Sequence, residues 1–148
     1  MTNPTAKINV RALLILWSVF FLAISCKKDE KPPEIPYVLV NFSLNPNSTQ
    51  YIALNVVNGW ETVTGGYNGI LIFRKSMDEF VAFERACPYD PLAAGAQVKV
   101  DKSGITCYCP VCGSKFIMND GTPYEGPSHY TLKQYTTVYD GVTLFIAN

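Results

Sequence analysis

Histidine is almost missing from this chain: His129 stands alone against nine tyrosines and eight phenylalanines. A single imidazole with no clear nucleophile beside it gives little material for acid–base or covalent chemistry. No Ser-His-Asp arrangement, paired-carboxylate signature or phosphate-cradling glycine loop occurs. The expectation is therefore a chain that does not act as an enzyme by itself. A surplus of charge is also lacking, since 12 Lys and Arg face 12 Asp and Glu. Without a basic stripe, a nucleic-acid partner is not expected. Helical periodicity is nearly absent beyond the N-terminus, and there is no internal repeat.

Long apolar runs are scarce too, and the one that exists is short. Ala12 to Ile24 follows Lys7 and Arg11. Thirteen residues of helix cover roughly 20 Å, less than the roughly 30 Å hydrocarbon core of a bilayer. That favours a cleaved signal, residues 1–25, over a membrane span. Leu22-Ala23-Ile24-Ser25-Cys26 resembles a bacterial lipobox, which makes Cys26 the expected lipidation site and the membrane a partner through that lipid. No Arg-Arg pair precedes the run, so export in an unfolded state is expected. Lys27-Lys28-Asp29-Glu30 follows Cys26 and no aspartate does so directly, which points to the outer membrane and to display on its surface. A bland charged linker explains those residues equally well. Residues 26–36, rich in proline and charge, read as a stalk, and loss of Lys7 and Arg11 with the signal leaves a net charge of about −2.

Residues 37–148 are one domain's worth of chain. Val142, Leu144 and Ile146 alternate with Thr143 and Phe145 after the Asp140-Gly141 turn, and Tyr135 to Tyr139 carries the same rhythm, which predicts a closing hairpin. Gly69 to Phe73 predicts a central strand. Phe80–Phe83, Gln97–Val100 and Ile105–Tyr108 predict shorter ones, with room for one helical turn near Met77. Turn pairs recur at Asn58-Gly59, Asn68-Gly69, Ser103-Gly104 and Asp120-Gly121. The fold class expected is all-β, a sandwich or barrel.

Four cysteines fall within this domain. Cys109-Pro-Val-Cys112-Gly-Ser-Lys-Phe116 follows Cys87-Pro-Tyr89, and Gly126-Pro127-Ser128 comes later. Together these resemble the Rieske iron–sulfur family, whose loops read Cys-x-His and, after about fifteen to twenty residues, Cys-Pro-x-His-Gly-x-x-Phe. Phe80 to Phe83 resembles the strand that delivers the first loop. Leu132, Tyr135 and the Asp140-Gly141 hairpin resemble the segment after the Gly-Pro loop, so the likeness runs from about Ile52 to Ile146. It implies an antiparallel base carrying a small rubredoxin-like metal-loop subdomain at about residues 85–128, with a redox partner docking on the Gly126-Pro127 side.

Both histidine positions are changed, to Tyr89 and Cys112. Carried over residue by residue, Cys87 and Cys109 would hold one iron while Tyr89 and Cys112 would have to hold the other. A phenol with an ordinary pKa near 10 is a poor ligand, so the two-imidazole cluster cannot form. Ser114 matches the serine that bonds a cluster sulfur. Cys107, two residues before Cys109, would face the same side on a strand and complete four thiolates.

Those four thiols admit three outcomes. They suit an all-cysteine [2Fe–2S] cluster or a tetrahedral zinc. In an oxidising envelope they also suit disulfides, including a bridge from Cys87 to Cys109 or Cys112. Electron transfer through a cluster is one expectation; a disulfide- or zinc-clasped module binding an unknown envelope ligand is the other. His129 is expected as a solvated loop residue, and Tyr89, Tyr108, Tyr124 and Tyr130 as partly shown aromatics around the loops.

Overall fold

Two strands at the centre of the domain are buried along their entire length, and the fold is arranged around them. A computed structural model describes residues 33–148. The signal segment, Cys26 and most of the stalk lie outside the described residues. Strands β1 (Asn41–Leu44), β2 (Trp60–Val63), β3 (Ile70–Arg74) and β4 (Phe80–Glu84) come first, with a 3-10 helix at Thr49–Asn55. Then follow β5 (Lys99–Val100), β6 (Thr106–Tyr108), β7 (Lys115–Ile117) and β8 (Pro123–Glu125). The hairpin of β9 (Gln134–Tyr139) and β10 (Leu144–Ala147) closes the chain.

The strands form two antiparallel sheets. One is six-stranded in the order β1-β10-β9-β4-β3-β2 and curls into a half-barrel; the other is four-stranded in the order β5-β6-β7-β8. The expected all-β class stands, with an antiparallel base. The smaller sheet, with the loops it supports, occupies the region expected for a metal-loop subdomain.

The period-two geometry of a strand explains why Ile70–Phe73 and Phe80–Phe83 read as unbroken apolar runs. Leu71, Phe73, Val81 and Phe83 face one core, shared with Val98, Phe116, Met118 and the cysteines of the loops. Ile70, Ile72, Phe80 and Ala82 face a second core inside the half-barrel, with Leu54, Tyr135, Leu144 and Ile146. Each fully buried aliphatic or aromatic side chain contributes about 1.5–3 kcal/mol.

Some expectations needed revision. The Met77 region makes no helical turn. It is the tight connection between β3 and β4, closed by the Lys75 N–H donating to Glu79 O at 2.8 Å. The helical turn lies instead at Thr49–Asn55, where Leu54 is its buried anchor. The Gln97–Val100 strand is reduced to Lys99–Val100, and Gln97 makes only an isolated bridge to Ala86. Val142 lies in the hairpin turn and is 60% exposed, so it is not part of the buried alternation. The short strands β1, β2, β7 and β8 were not foreseen.

Glu84 ends β4 with none of its surface exposed. Its carboxylate accepts from Tyr67 N at 2.6 Å, Asn68 N at 2.8 Å, Ala86 N at 3.0 Å and the Tyr135 hydroxyl at 2.7 Å. Gly66 lets the backbone come this close. At φ 61° it has no Cβ, and one placed there would lie 2.3 Å from Glu84 Oε2. Four donors satisfy a buried charge that would otherwise be costly. The phenol of Tyr135 is pushed upward by burial and by this carboxylate.

Two outcomes test this framework. Glu84→Ala orphans the donors and should lower unfolding stability by roughly 3 kcal/mol, against about 1 kcal/mol for Tyr135→Phe, in urea titrations. In the closing turn, Asp140 accepts from Val142 N at 2.9 Å and Thr143 N at 2.6 Å, and these bonds hold its carboxyl below the usual value. Stability from a depressed carboxyl is present above the unfolded pKa and is lost as pH falls through the folded one. Asp140→Asn should therefore flatten the loss of stability below about pH 4, read as Tm against pH.

Candidate metal centre

Three loops converge where the two sheets meet. The first leaves β4 at Glu84, and Cys87 N donates to Ala96 O at 2.8 Å, which folds this loop back on itself. The second joins β6 to β7. It is a tight knuckle, with Gly113 N donating to Cys109 O at 2.9 Å and Cys109 N to Ser114 O at 2.8 Å. The third is Gly126-Pro127-Ser128, which covers the knuckle.

The sulfurs of Cys87, Cys109 and Cys112 all lie within 4.8 Å of one another. Cys87 Sγ and Cys112 Sγ are 3.6 Å apart. Cys87 and Cys109 are fully buried, while Cys112 is partly exposed. Burial raises the Cys87 thiol far above its ordinary value, against the opposing pull of the Tyr89 backbone N–H. Burial acts on Cys112 in the same sense, but hydrogen bonds from Ser114 and the neighbouring thiols outweigh it and hold that thiol below its ordinary value.

Ser114 is fully buried and links two of the loops. Its Oγ accepts from Ser128 N at 3.0 Å and lies 3.2 Å from Cys112 Sγ, where its hydroxyl can donate to a thiolate. Gly126 makes the close packing available. At φ 94°, a Cβ there would lie 2.5 Å from Ser114 Cα and 2.8 Å from Ser114 N.

Not every expected ligand is at this point. Cys107 is not part of the three-sulfur group. The same-face argument needed Cys107 and Cys109 on one strand, but β6 ends at Tyr108 and Cys109 already belongs to the knuckle. Cys107 packs in the core, where burial and then Asp101 push its thiol up to about 12, with Arg85 opposing. Tyr89 presents its backbone N–H to Cys87, and the residue as a whole is 45% exposed. His129 is exposed beside Gly126 and Ser128. Glu84, which fixes the start of the first loop, was not singled out from the sequence; a charged residue ending an apolar strand was its only signal.

No family model matches the chain, and neither does any curated protein. Solved structures do match. The plasma membrane Rieske protein PetC3 of the cyanobacterium Synechocystis PCC 6803 aligns with a TM-score of 0.53 at 18% identity, over 72% of this chain and 97% of that one. The fold is Rieske-like. The ferredoxin of carbazole 1,9a-dioxygenase from Nocardioides aromaticivorans IC177 aligns with a TM-score of 0.48 at 15% identity, over 75% and 98% of the two chains.

The donor set of this Rieske-like domain does not fit the family's two-cysteine, two-histidine cluster. That cluster takes two imidazoles on one of its irons, and no imidazole stands at either position here. The sulfurs of Cys87 and Cys112, which the sequence resemblance would assign to different irons, lie 3.6 Å apart. Two thiolates on one tetrahedral ion, each about 2.3 Å from it, lie about 3.8 Å apart. The spacing of these two sulfurs is compatible with their sharing one metal ion.

Gly126→Ala should disturb the knuckle rather than the base of the fold. The expected result is a loss of roughly 2 kcal/mol in stability, with Cys112 becoming several-fold more reactive toward a thiol reagent. Cys107 should remain unreactive until the chain unfolds.

Proposed function

We propose that this chain is a non-enzymatic metal-binding module of the cell envelope, whose Rieske-like loops clasp one soft metal ion, zinc foremost, through Cys87, Cys109 and Cys112. The observation that carries this reading is the convergence of three sulfurs within 4.8 Å. The fourth position of a tetrahedral ion is left for water or an external ligand, an arrangement zinc accepts. When bound, the metal would supply a positive charge that keeps three buried thiols ionised and ties the first loop to the knuckle. Ser114 orients Cys112, and Gly126 and Ser128 orient Ser114.

The sequence supports the envelope placement. The lipobox-like segment ending at Cys26 and the stalk of residues 26–36 would tether the domain to the outer membrane. Zinc can be acquired after export, so an unfolded passage across the inner membrane raises no difficulty.

A second reading is electron transfer through a largely thiolate-ligated [2Fe–2S] cluster, with a redox partner at the Gly126-Pro127 side. It is favoured by Ser114 Oγ lying against Cys112 Sγ under the Gly-Pro loop, as the family resemblance implies around a cluster.

Titration of the reduced, chelator-treated protein with cadmium tests the first reading. One equivalent should saturate the thiolate-to-metal absorption band. Ser114→Ala should weaken binding about 10-fold, Cys112→Ser should weaken it further, and Cys107→Ser should leave it unchanged. An equal loss from Cys107→Ser would contradict the three-sulfur centre. Separately, Cys26→Ser should shift the protein from the membrane fraction to the soluble one.

A further inference from the structure

We propose that the same thiols, when no metal holds them, form a two-electron dithiol–disulfide couple in which Cys112 meets an external disulfide and Cys87 resolves it. The inference rests on the three-sulfur centre but not on its occupancy by metal. Cys87 Sγ and Cys112 Sγ are 3.6 Å apart, so closing to a bond of about 2.05 Å needs a movement of roughly 1.5 Å. Cys112 rides on a six-residue knuckle, from Cys109 to Ser114, and can make that movement without disturbing β4.

Exposure separates the roles. Cys87 and Cys109 have no exposed surface, and Cys107 has 1%, whereas Cys112 reaches solvent. An external disulfide can therefore meet only Cys112 among the four. Ser114 Oγ, 3.2 Å away, is placed to donate to the sulfur as it enters or leaves as a thiolate. The same two loops expose Tyr89, Leu92 and Val111. Exposed apolar side chains on these loops suit a disulfide carried on a polypeptide.

The exchange balances as follows. Cys112 sulfur gives up its proton and attacks one sulfur of the external disulfide, whose S–S bond breaks. The departing sulfur takes a proton and leaves as a thiol, with a mixed disulfide on Cys112. Cys87 sulfur then attacks Cys112 sulfur, and the second external sulfur leaves with the proton lost by Cys87. One external disulfide becomes two thiols, and the protein keeps a Cys87–Cys112 bridge. An external dithiol reverses the process. Cys109 and Cys107 stay reduced throughout.

The test treats the reduced, chelator-treated full chain with oxidised glutathione, followed by alkylation and peptide mapping. The expected product is a Cys87–Cys112 bridge, reversed by dithiothreitol. Cys109→Ser should form the same bridge. Cys87→Ser should accumulate glutathione on Cys112, and should this variant fail to fold, the Cys109→Ser bridge decides instead. No bridge among Cys87, Cys107, Cys109 and Cys112 after treatment, or a bridge on any other pair of them, overturns the proposal. A chain that forms the bridge yet takes up no cadmium sinks the metal clasp alone. One that takes up cadmium without forming the bridge sinks this couple alone.

Discussion

Four donors meet the buried carboxylate of Glu84: three backbone amides, from Tyr67, Asn68 and Ala86, and the hydroxyl of Tyr135. They come from the turn before β3, from the first residues of the thiol loop and from β9. An ionised group in a dry interior is stable only when such donors are in place, so each of these segments is held by the need to satisfy the charge. Cys87 follows three residues after Glu84 and inherits its position. The half-barrel thus reaches the site through one carboxylate as well as through packing.

The second constraint is the crowding of the loops. Gly126 has no room for a Cβ because Ser114 lies against it, and Ser114 in turn touches Cys112. The three loops form one packed unit, in which a change at the Gly-Pro loop is felt at a sulfur two contacts away. Packing this tight holds the three loops in register with one another.

Much of this was legible in the sequence. The runs Ile70–Phe73 and Phe80–Phe83 identified the central strands because both faces are buried, and the Asp140-Gly141 turn identified the closing hairpin. The Cys109-to-Phe116 stretch located the knuckle, and Gly126-Pro127 its cover. What was not legible came from tertiary context. Whether Cys107 shares a site with Cys109 depends on where β6 ends, and spacing alone does not reveal that. The strands β7 and β8, three residues each, carry too little pattern to be seen. Glu84 looks like an ordinary polar strand end until its four donors are assembled.

The Rieske-like fold here surrounds three cysteine sulfurs, with Tyr89 and Cys112 where the sequence resemblance implies histidine. No imidazole stands at either of those positions, and the sulfurs of Cys87, Cys109 and Cys112 lie within 4.8 Å of one another. The most direct measurement is metal and acid-labile sulfide analysis of the mature protein isolated from its own envelope without added reductant. The account predicts one metal ion per chain, zinc foremost, with no sulfide. About two irons and two sulfides per chain would contradict it.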